Sequence, residues 1–199
     1  MIRIYILYKK VINRVLKSMY HKKALYQLKR ANATFDRDIK FNGDTRLSIN
    51  GSVNIGKSFI CNSRGYCIDG GTSIIHVNKG GELIIGDNSG MSNTALHCYN
   101  KVTIGDFVNI GAGTIIFDTN FHSTEWKIRE DRHEDFINAK TAPVHIGNHV
   151  FIGARCIIGK GITIGNKSMI AAGSVVTKDV PAGEIWGGNP AKFIKKIDL

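Results

Sequence analysis

One long polar and aromatic segment interrupts an otherwise regular pattern in this chain of 199 residues. It covers residues 119–142 and begins directly after Asp118. Long connections without a repeat of their own are often functional. His122 lies near its start, and an imidazole with an ordinary pKa of about 6.5 can gain or lose a proton near neutral pH. The segment is therefore the candidate reactive site, and His122 its first candidate residue.

The chain around this segment repeats every six residues. Aliphatic side chains fall at six-residue steps from Ile146 to Val176, and Ile104, Ile110 and Ile116 keep the same step before the interruption. Glycine often follows the aliphatic residue, where it would permit a tight corner. A six-residue period predicts short strands joined by turns, with three hexads forming one triangular coil and stacked coils burying a continuous aliphatic core. Residues 47–181, without the interruption, predict about six coils.

These hexads resemble those of the hexapeptide-repeat acyltransferases, and the resemblance covers residues 47–199. It implies an all-β fold, a left-handed parallel β-helix, with the handedness taken from the family. The expected organisation begins with a basic amphipathic helical segment at residues 1–35. The β-helix follows at 36–181 with one extruded loop at 119–142, and a coenzyme-binding tail covers 182–199.

The start of the extruded loop reads Asp118-Thr119-Asn120-Phe121-His122. It is similar to the D-x-x-x-H segment of the maltose, galactoside, capsule and lipopolysaccharide O-acetyltransferases. The resemblance implies that His122 is the general base, which deprotonates a sugar hydroxyl as the hydroxyl attacks the thioester of acetyl-CoA. Asn93 matches an asparagine of the galactoside-type active site, so it is expected to act in catalysis and to contact the acceptor. Ser92 is its weaker neighbour.

Three more residues are candidate acceptor contacts: Asp118, Trp126 and Phe151. Phe151 stands where the galactoside-type enzymes have tryptophan in V-W-I-G, so the aromatic surface is kept and the indole N–H is lost. Trp126 has two open interpretations, either stacking on a sugar or anchoring the loop on a coil. The acids that could orient His122 are Asp118, Glu125 and Glu134, and the sequence does not choose among them.

The C-terminal stretch AAGSVVTKDVPAGEIWGGNPAKFIKKI resembles the part of the family that holds coenzyme A. The implied contacts to acetyl-CoA, the co-substrate, are Ala154, Ala172, Thr177, Lys178, Lys192 and Lys195. Lysine ammonium groups suit the phosphates as charge partners. The family often has arginine at the last two positions, and lysine lacks the bidentate fork of arginine. No metal is expected.

The charge of the chain is concentrated in residues 1–35. They contain nine Lys or Arg residues and no acid, whereas the formal net charge of the whole chain is +11. Apolar residues recur there at helical spacing, as Ile4, Leu7, Val11, Val15 and Met19. The pattern predicts an amphipathic helix with lysines on its other face. It would either lie on an anionic membrane surface or pack on its own domain or a neighbouring subunit. No nucleic-acid-binding motif is present.

The apolar runs and the cysteines limit the class of protein and its cellular compartment. No apolar run reaches the roughly 20 residues of a membrane-spanning helix. The four cysteines read as small core residues rather than nucleophiles: Cys61, Cys67, Cys98 and Cys156. Reduced thiols imply a cytoplasmic protein, and residues 1–35 could hold it at the inner face of the membrane.

The resemblance implies a homotrimeric sugar O-acetyltransferase, and we expect it to act on a capsule, O-antigen or other cell-surface glycan. Within the same fold, the alternative acceptor is the amine of a nucleotide-linked amino sugar. Two remote alternatives are a metal enzyme of the γ carbonic anhydrase type and a non-catalytic solenoid scaffold. The metal enzyme would need three histidine ligands, and the set to consider is His122, His145 and His149.

Overall fold

The computed structural model of the chain describes residues 2–63 and 71–197, with side chains from residue 11 onward. Helix α1 comes first (Ile2–Arg30). The strands before the loop are β1 (Thr34–Phe35), β2 (Lys40–Asn42), β3 (Arg46–Ile49), β4 (Ser52–Ile55), β5 (Ile60–Asn62), β6 (Ile74–Val77), β7 (Glu82–Ile85), β8 (Gly90–Ser92), β9 (Ala95–Cys98), β10 (Lys101–Ile104), β11 (Asn109–Ile110) and β12 (Ile115–Phe117). The loop holds a 3-10 turn (Ile128–Glu130) and helix α2 (Arg132–Ile137). After it come β13 (Val144–Ile146), β14 (Phe151–Ile152), β15 (Ile157–Ile158), β16 (Thr163–Ile164), β17 (Met169–Ile170), β18 (Val175–Val176), β19 (Glu184–Gly187) and β20 (Lys192–Lys196).

Every third strand joins the same parallel sheet, so the chain winds into a triangular solenoid. Sheet A has the order β1-β4-β7-β10-β13-β16, and sheet C the order β3-β6-β9-β12-β15-β18. Sheet B contains β2-β5-β8-β11-β14-β17 and continues into β19 and β20, the last pair being antiparallel. Six coils of three strands therefore lie between Thr34 and Val176.

The aliphatic residues of successive coils stack in register inside the solenoid. Ile104 pairs with Ile85 of the coil before it and with Ile146 of the coil after it. All three side chains are at most 2% exposed. Ile146 lies 42 positions after Ile104, whereas Ile164 follows Ile146 after 18. The loop therefore enters at a corner without disturbing the stacking of the coils.

Three of the four cysteines belong to this core, as predicted for small inward residues. Cys61, Cys98 and Cys156 are buried, and Cys67 lies outside the described residues. Burial is the main cause that raises the pKa of Cys98 to about 12, so this side chain is a neutral thiol at neutral pH. The prediction that these three cysteines are core residues is confirmed.

A column of glycines makes the corner between sheets A and B narrow enough for close stacking. A Cβ atom on Gly86 would lie 2.6 Å from the carbonyl carbon of Gly105 and 2.7 Å from its oxygen. One coil further on, the Oδ1 atom of Asn148 accepts the backbone N–H of Asp106 at 2.9 Å. Neighbouring coils are thus joined at this corner by side-chain-to-backbone hydrogen bonds that need a bare backbone beside them.

Helix α1 packs against the first coil with its C-terminal half. Ala24 and Leu28 are buried in the core cluster together with Phe41 of β2. His21 accepts the backbone N–H of Phe41 through Nδ1 at 3.3 Å, and Lys23 pairs with Asp44 at 2.9 Å. No helix of the described residues is both long and apolar enough to cross a membrane.

The repeat differs from the sequence expectation at both ends. The first coil begins at Thr34, two residues before the expected start of the β-helix at residue 36, and its strands β1 to β3 lack the Ile-Gly pattern of the later hexads. Residues 184–196 form a hairpin on sheet B rather than a separate tail. The register slip within residues 73–97 arises because only two residues separate β8 from β9.

Replacing Gly86 with alanine should destabilise the solenoid, because the new methyl group would meet the backbone of the next coil. We expect a loss of about 1–3 kcal/mol in the free energy of unfolding, measured by chemical denaturation. Gly159→Ala is the matched control, since the nearest atom to its Cβ would be 3.9 Å away. Equal losses in both variants would contradict the close-approach explanation.

Candidate active site

The root of the loop is fixed by Asp118 at the corner between sheets C and A. Its two carboxylate oxygens accept the backbone N–H groups of Tyr99 at 2.7 Å and Asn100 at 2.8 Å. The residue is fully buried. The structure therefore gives Asp118 a role in holding the loop, and its buried carboxylate is not in a position to contact an acceptor as the sequence predicted.

The central feature of the loop is a hydrogen bond between His122 and Asp135. Nδ1 of His122 lies 2.6 Å from Oδ2 of Asp135, and the other carboxylate oxygen accepts the backbone N–H of Ser123 at 2.7 Å. The His122 side chain is 70% exposed, whereas that of Asp135 is only 13% exposed. Because an ionised carboxylate can only accept, Nδ1 donates and the lone pair of His122 is on Nε2.

Asp135 remains ionised because its surroundings favour the charged form. The hydrogen bond from His122 is the main cause that lowers its pKa, and the Ser123 N–H adds to it. Asp135 lies on α2, which begins after Asp131. The Asp131 side chain caps this helix by accepting the backbone N–H groups of His133 and Glu134 at 2.8 and 3.0 Å.

The partner of His122 differs from the three acids that the sequence left open. Asp118 is committed to the loop root, and Glu134 contacts Asn138 at 3.3 Å instead. The backbone N–H of Glu125 donates a hydrogen bond to the hydroxyl oxygen of Ser123. Among the described residues, Glu125 makes no contact with the imidazole. The sequence signal that could have revealed this partner is Asp131, three residues before Glu134, because this spacing is typical of the start of a helix. A helix there turns Asp135 towards His122.

An aromatic cluster supports the backbone next to His122. Phe121 packs edge-on against His97 and Tyr99, with ring centroids 5.5 and 5.9 Å apart, and lies 5.5 Å from Phe117. His97 belongs to the outer face of sheet C, and burial is the main cause that lowers its pKa. Trp126 is 62% exposed, with the Lys127 ammonium 5.5 Å from its ring centroid. Most of the ring is therefore open to solvent, which favours the stacking interpretation over the anchoring one.

A second concave feature lies on the outer face of sheet B. Ile60, Gly90, Asn109 and Phe151 are register neighbours on successive strands. Gly90 has no side chain, and the gap forms a groove of about 320 Å³. Phe151 is exposed at its edge. Polar side chains complete the lining, namely Ser58, Asn62, Asn88, Ser89, Ser92 and Asn109.

The structure separates the two predicted catalytic residues. Asn93 lies in the turn between β8 and β9, at the corner of sheets B and C. Its backbone has a φ of 43°, and its N–H donates a hydrogen bond to the Asn62 carbonyl at 2.8 Å. Ser92 accepts the Asn62 amide at 3.3 Å beside the groove. His122 belongs to the corner of sheets C and A. In the described part of one chain, Asn93 and His122 therefore lie at different corners and do not form one site.

The predicted coenzyme contacts all lie in the last two coils and the terminal hairpin. Ala154 and Ala172 occupy the corner after β14 and β17, and Thr177 and Lys178 follow β18. All but Ala154, which is partly buried, are exposed. The two lysines of β20 are exposed opposite β19, where Lys192 pairs with Gly187 and Lys195 with Ile185.

The three histidines considered as metal ligands do not meet. His122 is on the loop, His145 is on β13, and His149 stacks on Phe107 with ring centroids 4.9 Å apart. Across residues 2–63 and 71–197, no group of three His, Cys, Asp or Glu residues is arranged to hold a metal ion.

Several known proteins share the six-residue repeat of this chain. The model of the hexapeptide repeat of succinyl-transferase matches residues 143–178. Galactoside O-acetyltransferase of Escherichia coli strain K12 is 33% identical over 126 residues, which cover 62% of this chain and 59% of that protein. The chain is thus similar to hexapeptide-repeat acyltransferases over these residues. Its fold is a left-handed parallel β-helix, as predicted.

Two solved structures are also similar to this chain. A hexapeptide-repeat-containing acetyltransferase from Vibrio cholerae is 32% identical with a TM-score of 0.53, covering 59% of this chain and 64% of that chain. AntD, an N-acyltransferase from Bacillus cereus, has a TM-score of 0.67 at 22% identity, covering 87% of this chain and 88% of that chain. The second likeness is one of fold. The chain spans about three fifths of the length of the galactoside enzyme.

Replacing Asp135 with asparagine should loosen the loop at neutral pH. The pKa of Asp135 is lowered in the folded state. The stabilisation of the loop by this carboxylate is therefore complete above the ordinary carboxyl pKa of about 3.9, and it is lost as the pH falls through the lower pKa of the folded state. We expect the protection factor of the Ser123 amide in hydrogen exchange to fall roughly tenfold in Asp135→Asn at neutral pH. Glu134→Gln is the control, and an equal fall there would contradict this role of Asp135.

Proposed function

We propose that the protein is an acetyl-CoA-dependent acetyltransferase that transfers the acetyl group to a hydroxyl of a sugar. The observation that carries the proposal is the pair of His122 and Asp135, an exposed imidazole oriented by a mostly buried carboxylate. A neutral hydroxyl must lose its proton as it attacks a thioester, so a positioned base is required. Nε2 of His122 is the nitrogen available for that proton.

The proposed reaction is a direct transfer. The sugar oxygen attacks the thioester carbonyl carbon while Nε2 of His122 takes the hydroxyl proton. The tetrahedral intermediate then collapses, the carbon–sulfur bond breaks, and the imidazolium returns the proton to the sulfur of coenzyme A. Asp135 is a positioning residue, because its negative charge stabilises the imidazolium and fixes the ring.

We propose that a homotrimer completes the site, since Asn93 and His122 lie at different corners of one solenoid. Closed threefold symmetry would set the loop of one subunit beside sheet B of the next. The coenzyme contacts would be Ala154, Ala172, Thr177, Lys178, Lys192 and Lys195. A Vibrio cholerae relative crystallised with acetyl-CoA supports the choice of donor.

The sheet B groove is our candidate for the acceptor site. Amide and hydroxyl side chains around an exposed Phe151 ring match the alternating polar and apolar surfaces of a sugar. Asn93, Ser92 and Trp126 would add contacts. We infer that the acceptor is a capsule, O-antigen or other cell-surface glycan, as a polymer or a lipid-linked precursor. The loop sequence DTNFHSTEW and the basic residues 1–35 support this choice, which would place the enzyme in the cytoplasm near the membrane.

Replacing His122 with alanine should lower the turnover number by roughly 10²–10⁴-fold and leave acetyl-CoA binding unchanged, because the base acts only in the chemical step. Coenzyme release during incubation with sugar acceptors measures the rate. His133→Ala removes an exposed histidine of the same loop and should keep normal activity. A near-normal rate for His122→Ala would instead favour transfer to the amine of a nucleotide-linked amino sugar, since a free amine is already nucleophilic.

Replacing both Lys192 and Lys195 with alanine should weaken acetyl-CoA binding roughly tenfold or more, because two charge-assisted contacts to phosphate would be lost. Calorimetric titration measures the affinity without any knowledge of the acceptor. Lys57→Ala/Lys79→Ala removes the same charge from exposed positions far along the solenoid. Unchanged affinity in the first variant, or equal losses in both, would contradict the proposed coenzyme site.

A further inference from the structure

Helix α1 has two faces with different surroundings. Ala24 and Leu28 are buried against the first coil, at 2% and 0% exposure. Val15 and Met19 stand nine positions before them, which is two and a half helical turns. They therefore point away from the solenoid, and they are 53% and 59% exposed. The packing of α1 on its own domain thus uses a different face from the apolar stripe that the sequence predicted.

This outward stripe is continuous from Val11 to Met19. It contains Val11, Ile12, Val15, Leu16 and Met19, all at least 36% exposed. Tyr26 is seven positions after Met19 and therefore on the same side, beyond Lys22, and it is 66% exposed. Soluble proteins rarely leave a contiguous apolar surface of this kind uncovered unless it binds something. We call this set of residues, with Tyr26, the α1 stripe.

Cations flank the α1 stripe on its own side of the helix. Lys22 follows Met19 by three positions, and Lys29 and Arg30 follow Tyr26 by three and four positions, so they neighbour the stripe. All three are exposed. Residues 1–35 contain no acidic side chain. The surface that covers the stripe must therefore tolerate apolar contact and supply negative charge.

We propose that the α1 stripe docks in the plane of an anionic membrane surface, with its apolar side chains among the acyl chains and the flanking cations at the lipid phosphates. An amphipathic basic helix binds in this way through apolar burial together with electrostatic attraction. A second copy of α1 is the less suitable occupant, because it would bring like cations together with no acid to pair them. This docking goes beyond the proposed reaction and does not depend on it.

Co-sedimentation of the full chain with lipid vesicles tests the proposal. The vesicles consist of phosphatidylcholine alone or of phosphatidylcholine with phosphatidylglycerol. We expect saturable binding to the anionic vesicles that weakens with salt. Val15→Gln/Met19→Gln should abolish it. Lys22→Gln/Lys29→Gln should weaken it by roughly fivefold for each cation removed. Circular dichroism and acetyl-CoA binding should stay normal, because all four side chains are exposed.

The control variant Lys79→Gln/Lys167→Gln removes two exposed lysines from the solenoid and should bind the vesicles as the unmodified chain does. Equal binding by the Val15→Gln/Met19→Gln variant would overturn the proposal, as would equal binding to both kinds of vesicle. A change of oligomeric state in that variant, measured by sedimentation equilibrium without lipid, would also overturn it and assign the stripe to a protein contact. None of these results depends on acetyl transfer.

Discussion

The stacking of equivalent residues in successive coils is the constraint on which the rest of the structure depends. Each aliphatic side chain of the core covers the one below it, as Ile85, Ile104 and Ile146 do in sheet A. Parallel pairing satisfies the backbone groups of each strand only if every coil has the same size and shape. The glycine corner, represented by Gly86, follows from this requirement, because coils that close together leave no room for a side chain there.

The candidate site uses that regularity as a rigid base for one irregular segment. Asp118 is part of the corner, and its hydrogen bonds to Tyr99 and Asn100 fix the direction in which the loop leaves. Phe121 then packs on the outer face of sheet C, and His122 follows it. The imidazole is thus held from both sides, by the aromatic cluster through the backbone and by Asp135 through Nδ1. Such double support keeps an exposed side chain in one orientation.

The sequence predicts the periodic part of this molecule well and the contacts between its parts poorly. Six-residue spacing determines the coils because each hexad meets the same neighbours above and below. The β-helix was expected to begin at residue 36, two residues after its actual start, since Thr34 and Phe35 show no hexad pattern and pair only through tertiary contact. Asp135 was missed because it is thirteen positions from His122 and reaches it through a short helix. For α1, the spacing revealed an apolar face, but only the burial of Ala24 and Leu28 shows that this face looks outward.

The corner insertion has a consequence for how solenoids of this kind can diversify. Ile104 and Ile146 pair as they would if no loop lay between them. The stacking of the coils therefore does not depend on the length or the sequence of that segment. Thr119 and Thr141 form a bridge at its base, and Ala142 donates its backbone N–H to the Asp118 carbonyl at 2.9 Å. These two contacts close the base of the segment, so its two ends lie side by side. A different loop could be exchanged at this corner with little effect on folding, which would let selection change the chemistry while the scaffold stays the same.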